Sequence, residues 1–129
     1  MKILLADDDR ALVTLLTAQL RHEGHEVIVA GDGIQTMMLA TRQQPDAIVL
    51  DVQMPGGTGL QTLDKLRANS RTQMIPVLVI SAKTDRDIPT RVGAHPLSRF
   101  LPKPVTGAAI TKELRAMAIE TGILPIPAA

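Results

Sequence analysis

No cysteine occurs among the 129 residues, which excludes disulfides and thiolate metal sites and makes the cytoplasm the expected location. Tryptophan and tyrosine are also missing and phenylalanine occurs once, so no aromatic platform exists on which bases could stack. Charge of one sign is lacking as well. The formal net charge is +1 with no clustered basic stripe, and direct nucleic-acid binding is not expected. No apolar run approaches the roughly 18 residues of a membrane span, and no basic, apolar, small-residue series opens the chain as a secretory signal would. What is there is a globular composition, 45% hydrophobic and 21% charged, in a length that suits one domain.

The most informative stretch runs from Asp46 to Gly59, DAIVLDVQMPGGTG. Ala47 to Leu50 form a short apolar run bounded by Pro45-Asp46 and Pro55-Gly56-Gly57, the pattern of a strand buried on both faces. It ends on Asp51. In an open parallel α/β sheet the carboxyl ends of strands are where ligands bind, so an acid there is a candidate for chemistry. On this stretch alone, a cap for the following turn explains Asp51 equally well.

The rest of the chain supplies the context. Lys2 to Ala6 is an apolar strand running into Asp7-Asp8-Asp9, with Asp9 read as the cap of a helix whose stripe is Leu12, Leu15, Leu16 and Leu20. Glu26 to Ala30 is a second strand, and Gly31-Asp32-Gly33 turns it into a helix with Ile34, Met37 and Met38 on one face. The methionines are read as core filler. After the Asp51 strand, Thr58 is the expected cap of a helix bearing Leu60, Leu63 and Leu66. Ile75 to Ser81 is the most hydrophobic strand. Phe100 to Pro104 reads as a short fifth, and Thr106 opens a helix with Ile110, Leu114 and Met117 inward. Residues 123–129 read as a tail or the start of a linker. Strands alternating with helices argue for a parallel sheet with helices on both faces.

One property then unites Asp7, Asp8, Asp51, Ser81 and Lys103: each lies at or just past the carboxyl end of a strand. Crowded carboxylates resist ionisation unless positive charge is supplied, and a hard divalent cation such as Mg²⁺ suits oxygen donors. With no His or Cys in the set, zinc does not. A carboxylate can attack phosphorus to give an aspartyl phosphate, and phosphoryl transfer depends on positioning and charge neutralisation, which a metal and Lys103 could share.

These motifs resemble the receiver domain of two-component response regulators. The acidic pair after the first strand, the Asp-x-x-Met-Pro-x-x-x-Gly run from Asp51 to Gly59, Ser81-Ala82 and Lys103-Pro104 occur in the family's order. The resemblance implies a flavodoxin-like, doubly wound sheet of five parallel strands in order 2-1-3-4-5, filling a receiver unit of residues 1–122. It implies that Asp51 takes a phosphoryl group from a phosphohistidine on a sensor histidine kinase or phosphotransfer protein. Asp8, Asp51 and the backbone carbonyl of Gln53 would bind Mg²⁺, Asp7 would act through water, and Ser81 and Lys103 would read the phosphoryl group. Phe100, with Ser81, takes the place of the switch pair, although it lacks the hydroxyl of the commoner Tyr. Gln53 and Lys83 lie two residues past Asp51 and Ser81 and are expected to screen the phosphoryl group from water, lengthening its lifetime.

The segment from Thr84 to Arg99 departs from the family's regular fourth helix. A helix begun at Asp85 would place Pro89 in its interior at a cost of about 3 kcal/mol, and one begun at Pro89 would last little more than a turn before His95-Pro96. It is expected to be short or irregular and part of the output surface. With no effector domain in the sequence, that output is expected to be binding of a protein partner. Such a protein is no enzyme beyond its own phosphorylation and dephosphorylation. Two other readings compete. An aspartate-nucleophile phosphohydrolase normally has a second acid where Gln53 stands, and a pseudo-receiver would have lost an acid or the lysine, all of which are present.

Overall fold

The computed structural model describes residues 1–52, 59–81, 87–93, 95 and 97–120, with only the backbone of Asp87. Strands and helices alternate: β1 Lys2–Ala6, α1 Arg10–His22, β2 Glu26–Ala30, α2 Gly33–Gln43, β3 Ala47–Asp51, α3 Gly59–Ala68, β4 Val77–Ser81, α4 Asp87–Gly93, β5 Ser98–Pro102 and α5 Gly107–Glu120. All pairings are parallel, and the order is β2-β1-β3-β4-β5. The expected doubly wound sheet is therefore present.

Side chains alternate across each strand, so the sheet feeds two cores. Leu4, Ala6, Ile48, Leu50, Val77 and Val79 meet Ala40 of α2, Leu60, Leu63 and Leu66 of α3 and Ile88 and Val92 of α4. Ile3, Leu5, Val27, Val49, Leu78 and Ile80 meet Leu16 and Leu20 of α1 and Ile110, Leu114 and Met117 of α5. β3 and β4 are buried at every position, which is why they read as unbroken apolar runs. Each fully buried Leu or Ile adds roughly 1.5–3 kcal/mol of transfer free energy.

Helix starts follow local chemistry. Asp9 accepts from the Leu12 N–H at 3.1 Å and Asp32 from the Gln35 N–H at 2.7 Å, while the Thr106 hydroxyl accepts from the Ala109 N–H at 3.1 Å. Thr58 lies outside the described residues.

Several expectations need correction. Leu15 is 53% exposed and Ile34 70%, so neither lies on a buried stripe, and of the methionines read as core filler Met38 at 42% and Met74 at 69% are exposed, whereas Met37 and Met117 pack into the cores. α2 turns Gly33, Thr36 and Ala40 inward instead, small residues that let the helix lie close to the sheet. Thr36 can be buried because its hydroxyl donates to the Asp32 carbonyl at 2.7 Å. β4 starts at Val77 rather than Ile75, and β5 runs from Ser98 to Pro102 rather than from Phe100 to Pro104. The register Val77↔Ser98 starts β5 two residues early, after Leu97 turns the chain at φ 57°. As an edge strand it is only partly buried, so Ser98 and Arg99 carried no apolar signal.

The fourth helix is short, as expected, but begins at neither weighed position. With Asp87 first, Pro89 is the third residue, where its missing N–H would have had no intrahelical partner. Residues 84–86 lie outside the described residues.

Two residues of α3 secure the segments that lead into β4 and β5. Asp64 pairs with His95 at 2.7 Å. The Arg67 guanidinium donates to the carbonyls of Ile75 at 2.7 Å, Leu97 at 2.8 Å and Gln73 at 3.1 Å, and to the Ser98 hydroxyl at 3.1 Å. Burial lowers its pKa to about 10, so it stays charged at neutral pH. Among the described residues, no helix is long and apolar enough to cross a membrane.

Candidate functional site

The carboxyl ends of β1, β3, β4 and β5 converge on one rim. Asp51 is the last residue of the central strand β3 and is 4% exposed. Asp7 follows β1 and is buried, and Asp8 beside it is exposed. Oxygens of Asp7, Asp8 and Asp51 lie within 4.8 Å of one another. Oxygen donors alone at that spacing fit a hard divalent cation, and in its absence three carboxylates repel.

Lys103, one residue past β5, reaches into this cluster. Its ammonium lies 3.0 Å from Asp7 Oδ2 and 3.4 Å from Asp51 Oδ1. Burial acts to lower its pKa, but the hydrogen bond to Asp7 and the charges of Asp51 and Asp7 outweigh it and raise the pKa above the ordinary lysine value. Lys103 is therefore a fixed cation facing two nearly buried anions. Asp7 has both oxygens engaged, since Oδ1 accepts the Asp9 N–H at 2.9 Å.

Ser81 ends β4, is 1% exposed, and its carbonyl accepts the Lys103 N–H at 2.7 Å. The hydroxyl strand and the lysine loop are thus tied to each other directly. The Lys103–Pro104 peptide bond is cis. Phe100, three residues before Lys103, is partly buried against the cluster that contains Ile88 and Val92 of α4.

The rim therefore gathers Asp7, Asp8, Asp51, Ser81 and Lys103, the five residues that share strand ends in the sequence. Gln53 and Lys83, the residues expected to govern lifetime, lie outside the described residues, as does the Met54-Pro55 turn.

Two features of the site escaped the sequence reading. Gly59 opens α3 so close to β3 that a Cβ there would sit 2.2 Å from the Asp51 carbonyl oxygen and 2.6 Å from Val52 Cα. Its N–H donates to the Val52 carbonyl at 2.7 Å, so backbone packs on backbone immediately behind the acid. The repeated Gly in that motif was the available signal. Beside Asp7 and Asp8 lies a cavity of about 510 Å³ walled by Arg10, Val13, Thr14, Val29 and Gly31. Val29 is 43% exposed on β2, which an alternating strand pattern would not single out.

A family model described as "response regulator receiver domain" matches residues 3–115. Protein PilH of Pseudomonas aeruginosa is 34% identical over 119 residues, covering 90% of this chain and 96% of that protein. The probable transcriptional regulatory protein TcrX of Mycobacterium tuberculosis is 35% identical over 127 residues, and there the chain spans only 52% of the relative's length. Among solved structures, chemotaxis response regulator CheY4 of Vibrio cholerae superposes with TM-score 0.81 at 27% identity, covering 90% of this chain and 97% of that one. The receiver domain of sensor histidine kinase PA1611 from P. aeruginosa, solved with a magnesium ion in its active site cleft, gives TM-score 0.81 at 28% identity, covering 90% and 95%.

Proposed function

The chain belongs to the response regulator receiver domain family, and on that premise we propose that Asp51 accepts a phosphoryl group from a phosphohistidine on a sensor histidine kinase or phosphotransfer protein. The observation that carries this reading is the buried Asp51 carboxylate at the end of the central strand, grouped with Asp7 and Asp8 and faced by the Lys103 ammonium. An Asp51 oxygen attacks phosphorus as the P–N bond breaks, and that bond's electron pair leaves on the imidazole nitrogen. Lys103 neutralises charge on the incoming group, and the Ser81 hydroxyl donates to one of its oxygens.

Asp8 and Asp51, with the backbone carbonyl of Gln53, are the residues that would hold Mg²⁺, and Asp7 would act through water. When bound, the ion neutralises phosphoryl oxygens. The oxygen-only donor set supports this assignment.

Phosphorylation is read by Ser81 and Phe100, which change the surface around α4 and β5 for a protein partner. Gln53 and Lys83 screen the acyl phosphate from water. The receiver unit is residues 1–122. Its chemistry is confined to its own phosphorylation and dephosphorylation, it works in the cytoplasm, and it touches no nucleic acid directly.

The test is mass spectrometry after incubation with acetyl phosphate and Mg²⁺. A phosphoryl adduct on the unmutated protein and none on Asp51→Asn is expected, because the amide keeps the shape and loses the nucleophile. An equal adduct on Asp51→Asn would overturn the assignment.

A further inference from the structure

The loop carrying Lys103 is fastened at both ends. At its start, the Lys103 N–H donates to the Ser81 carbonyl at 2.7 Å. In its middle, Val105 is buried in the cluster of Leu16 and Leu20. At its far end, the Gly107 N–H, which as the first residue of α5 has no partner within its helix, donates to Gln19 Oε1 on α1 at 2.6 Å. The joint is tight. A Cβ on Gly107 would lie 2.6 Å from Gln19 Cβ and 3.2 Å from its carbonyl carbon. Only glycine lets the loop's end come down onto this one side chain.

A lysine has four rotatable stem bonds, so holding its ammonium within reach of two acids requires that its Cα be fixed. Sites held by such supporting bonds lose their geometry when the support goes, even though no reacting atom is touched.

We propose that Gln19 is a positioning residue for Lys103: by accepting the Gly107 N–H it fixes the far end of the 103–106 loop and so keeps the ammonium between Asp7 and Asp51. The role rests on the reading of Asp51 as phosphoacceptor, and it competes with the plainer role of packing α1 on α5.

Three variants separate the two. Gln19→Met keeps length and packing without an acceptor oxygen. Gln19→Glu keeps an acceptor, which a helix N-terminus favours. Lys103→Met removes the group that Gln19 is proposed to serve. The first readout is the rate of Asp51 adduct formation from acetyl phosphate at saturating Mg²⁺. Gln19→Met should slow it about tenfold while the Mg²⁺ dissociation constant stays within about twofold by calorimetry. Gln19→Glu should restore the rate to within about twofold. In the Lys103→Met background, Gln19→Met should have no further effect, as a double-mutant cycle demands of residues acting through one group. A Gln19→Met rate within twofold of the unmutated protein overturns the proposal, and so does an equal loss in the Lys103→Met background. A loss that Gln19→Glu fails to recover overturns it too.

The second readout needs no phosphoryl chemistry. Amide hydrogen exchange is followed in chelator, and Gln19→Met should speed exchange at the Lys103 and Gly107 N–H groups about tenfold while Leu16 and Leu20 of α1 stay within about twofold. If the unmutated protein forms no adduct, the phosphoacceptor reading falls and this exchange alone decides: faster exchange at the Lys103 N–H supports the positioning role, an unchanged rate there overturns it. Should Gln19→Met fail to fold, Gln19→Asn, which withdraws the amide by one methylene, takes its place with the same outcomes.

Discussion

Lys103→Met tests the electrostatics of the rim without any phosphoryl group. Methionine keeps most of the stem's packing and removes the charge. The side chains of Asp7 and Asp51 are 0% and 6% exposed, so without Lys103 they face each other with little water to separate them. Removing one partner from a buried charged set costs about 3–5 kcal/mol. The cost has a ceiling, however, because one carboxylate can take up a proton instead. For an ordinary aspartic acid of pKa ~3.9, at 1.36 kcal/mol per unit, that ceiling is about 4 kcal/mol at pH 7 and about 1.5 kcal/mol at pH 5. The folded variant then binds more protons than its unfolded chain, so its stability falls as pH rises.

The assay is urea unfolding of both proteins at pH 7 and pH 5, each with chelator and with Mg²⁺. The expected destabilisation is about 3–4 kcal/mol at pH 7 and about 1.5 kcal/mol at pH 5. Mg²⁺ should shrink the pH 7 difference, since two positive charges relieve the same repulsion and binding to the folded state alone stabilises it. A cost below about 1 kcal/mol at pH 7, or the same cost at both pH values, would refute the reasoning that Lys103 holds two desolvated anions together.

Gly59→Ala should destabilise by about 1–3 kcal/mol or more, because its Cβ falls on the backbone of Asp51 and Val52; an unchanged urea midpoint would contradict that contact. His25 is 7% exposed, with Nδ1 3.0 Å from the N-terminal ammonium and Nε2 3.0 Å from the Thr111 hydroxyl, and burial followed by the ammonium's charge lowers its pKa from 6.5. The unfolded chain therefore takes up the proton first, so this contribution is complete above pH 6.5 and is lost as pH falls below it. His25→Gln should flatten the stability profile between about pH 7 and 5, and an identical slope in parent and variant would rule the linkage out.

The rim was legible because each of its residues interrupts or ends an apolar run, and a polar side chain at that place stands out in one dimension. α2 was misread for the opposite reason: Ile34 and Met38 are the large apolar residues, but Thr36 and Ala40 let the helix approach the sheet. β5 lost its first two residues because an edge strand needs no apolar Ser98 or Arg99 to be paired. Gln19 and Arg67 were invisible for a third reason. Their partners are the backbone of Gly107, Ile75 and Leu97, and main-chain donors and acceptors look alike at every position of a sequence.

The bonds of Arg67 differ from those of the rim in how they respond to their surroundings. It fastens the amino ends of β4 and β5 through neutral carbonyls and a hydroxyl, whereas the opposite rim is held by full charges that attract or repel one another. Divalent ions and added negative charge act on the second kind of bond far more than on the first. A change of charge among Asp7, Asp51 and Lys103 thus meets, at the amino ends of β4 and β5, an Arg67 clamp whose partners carry no charge to retune.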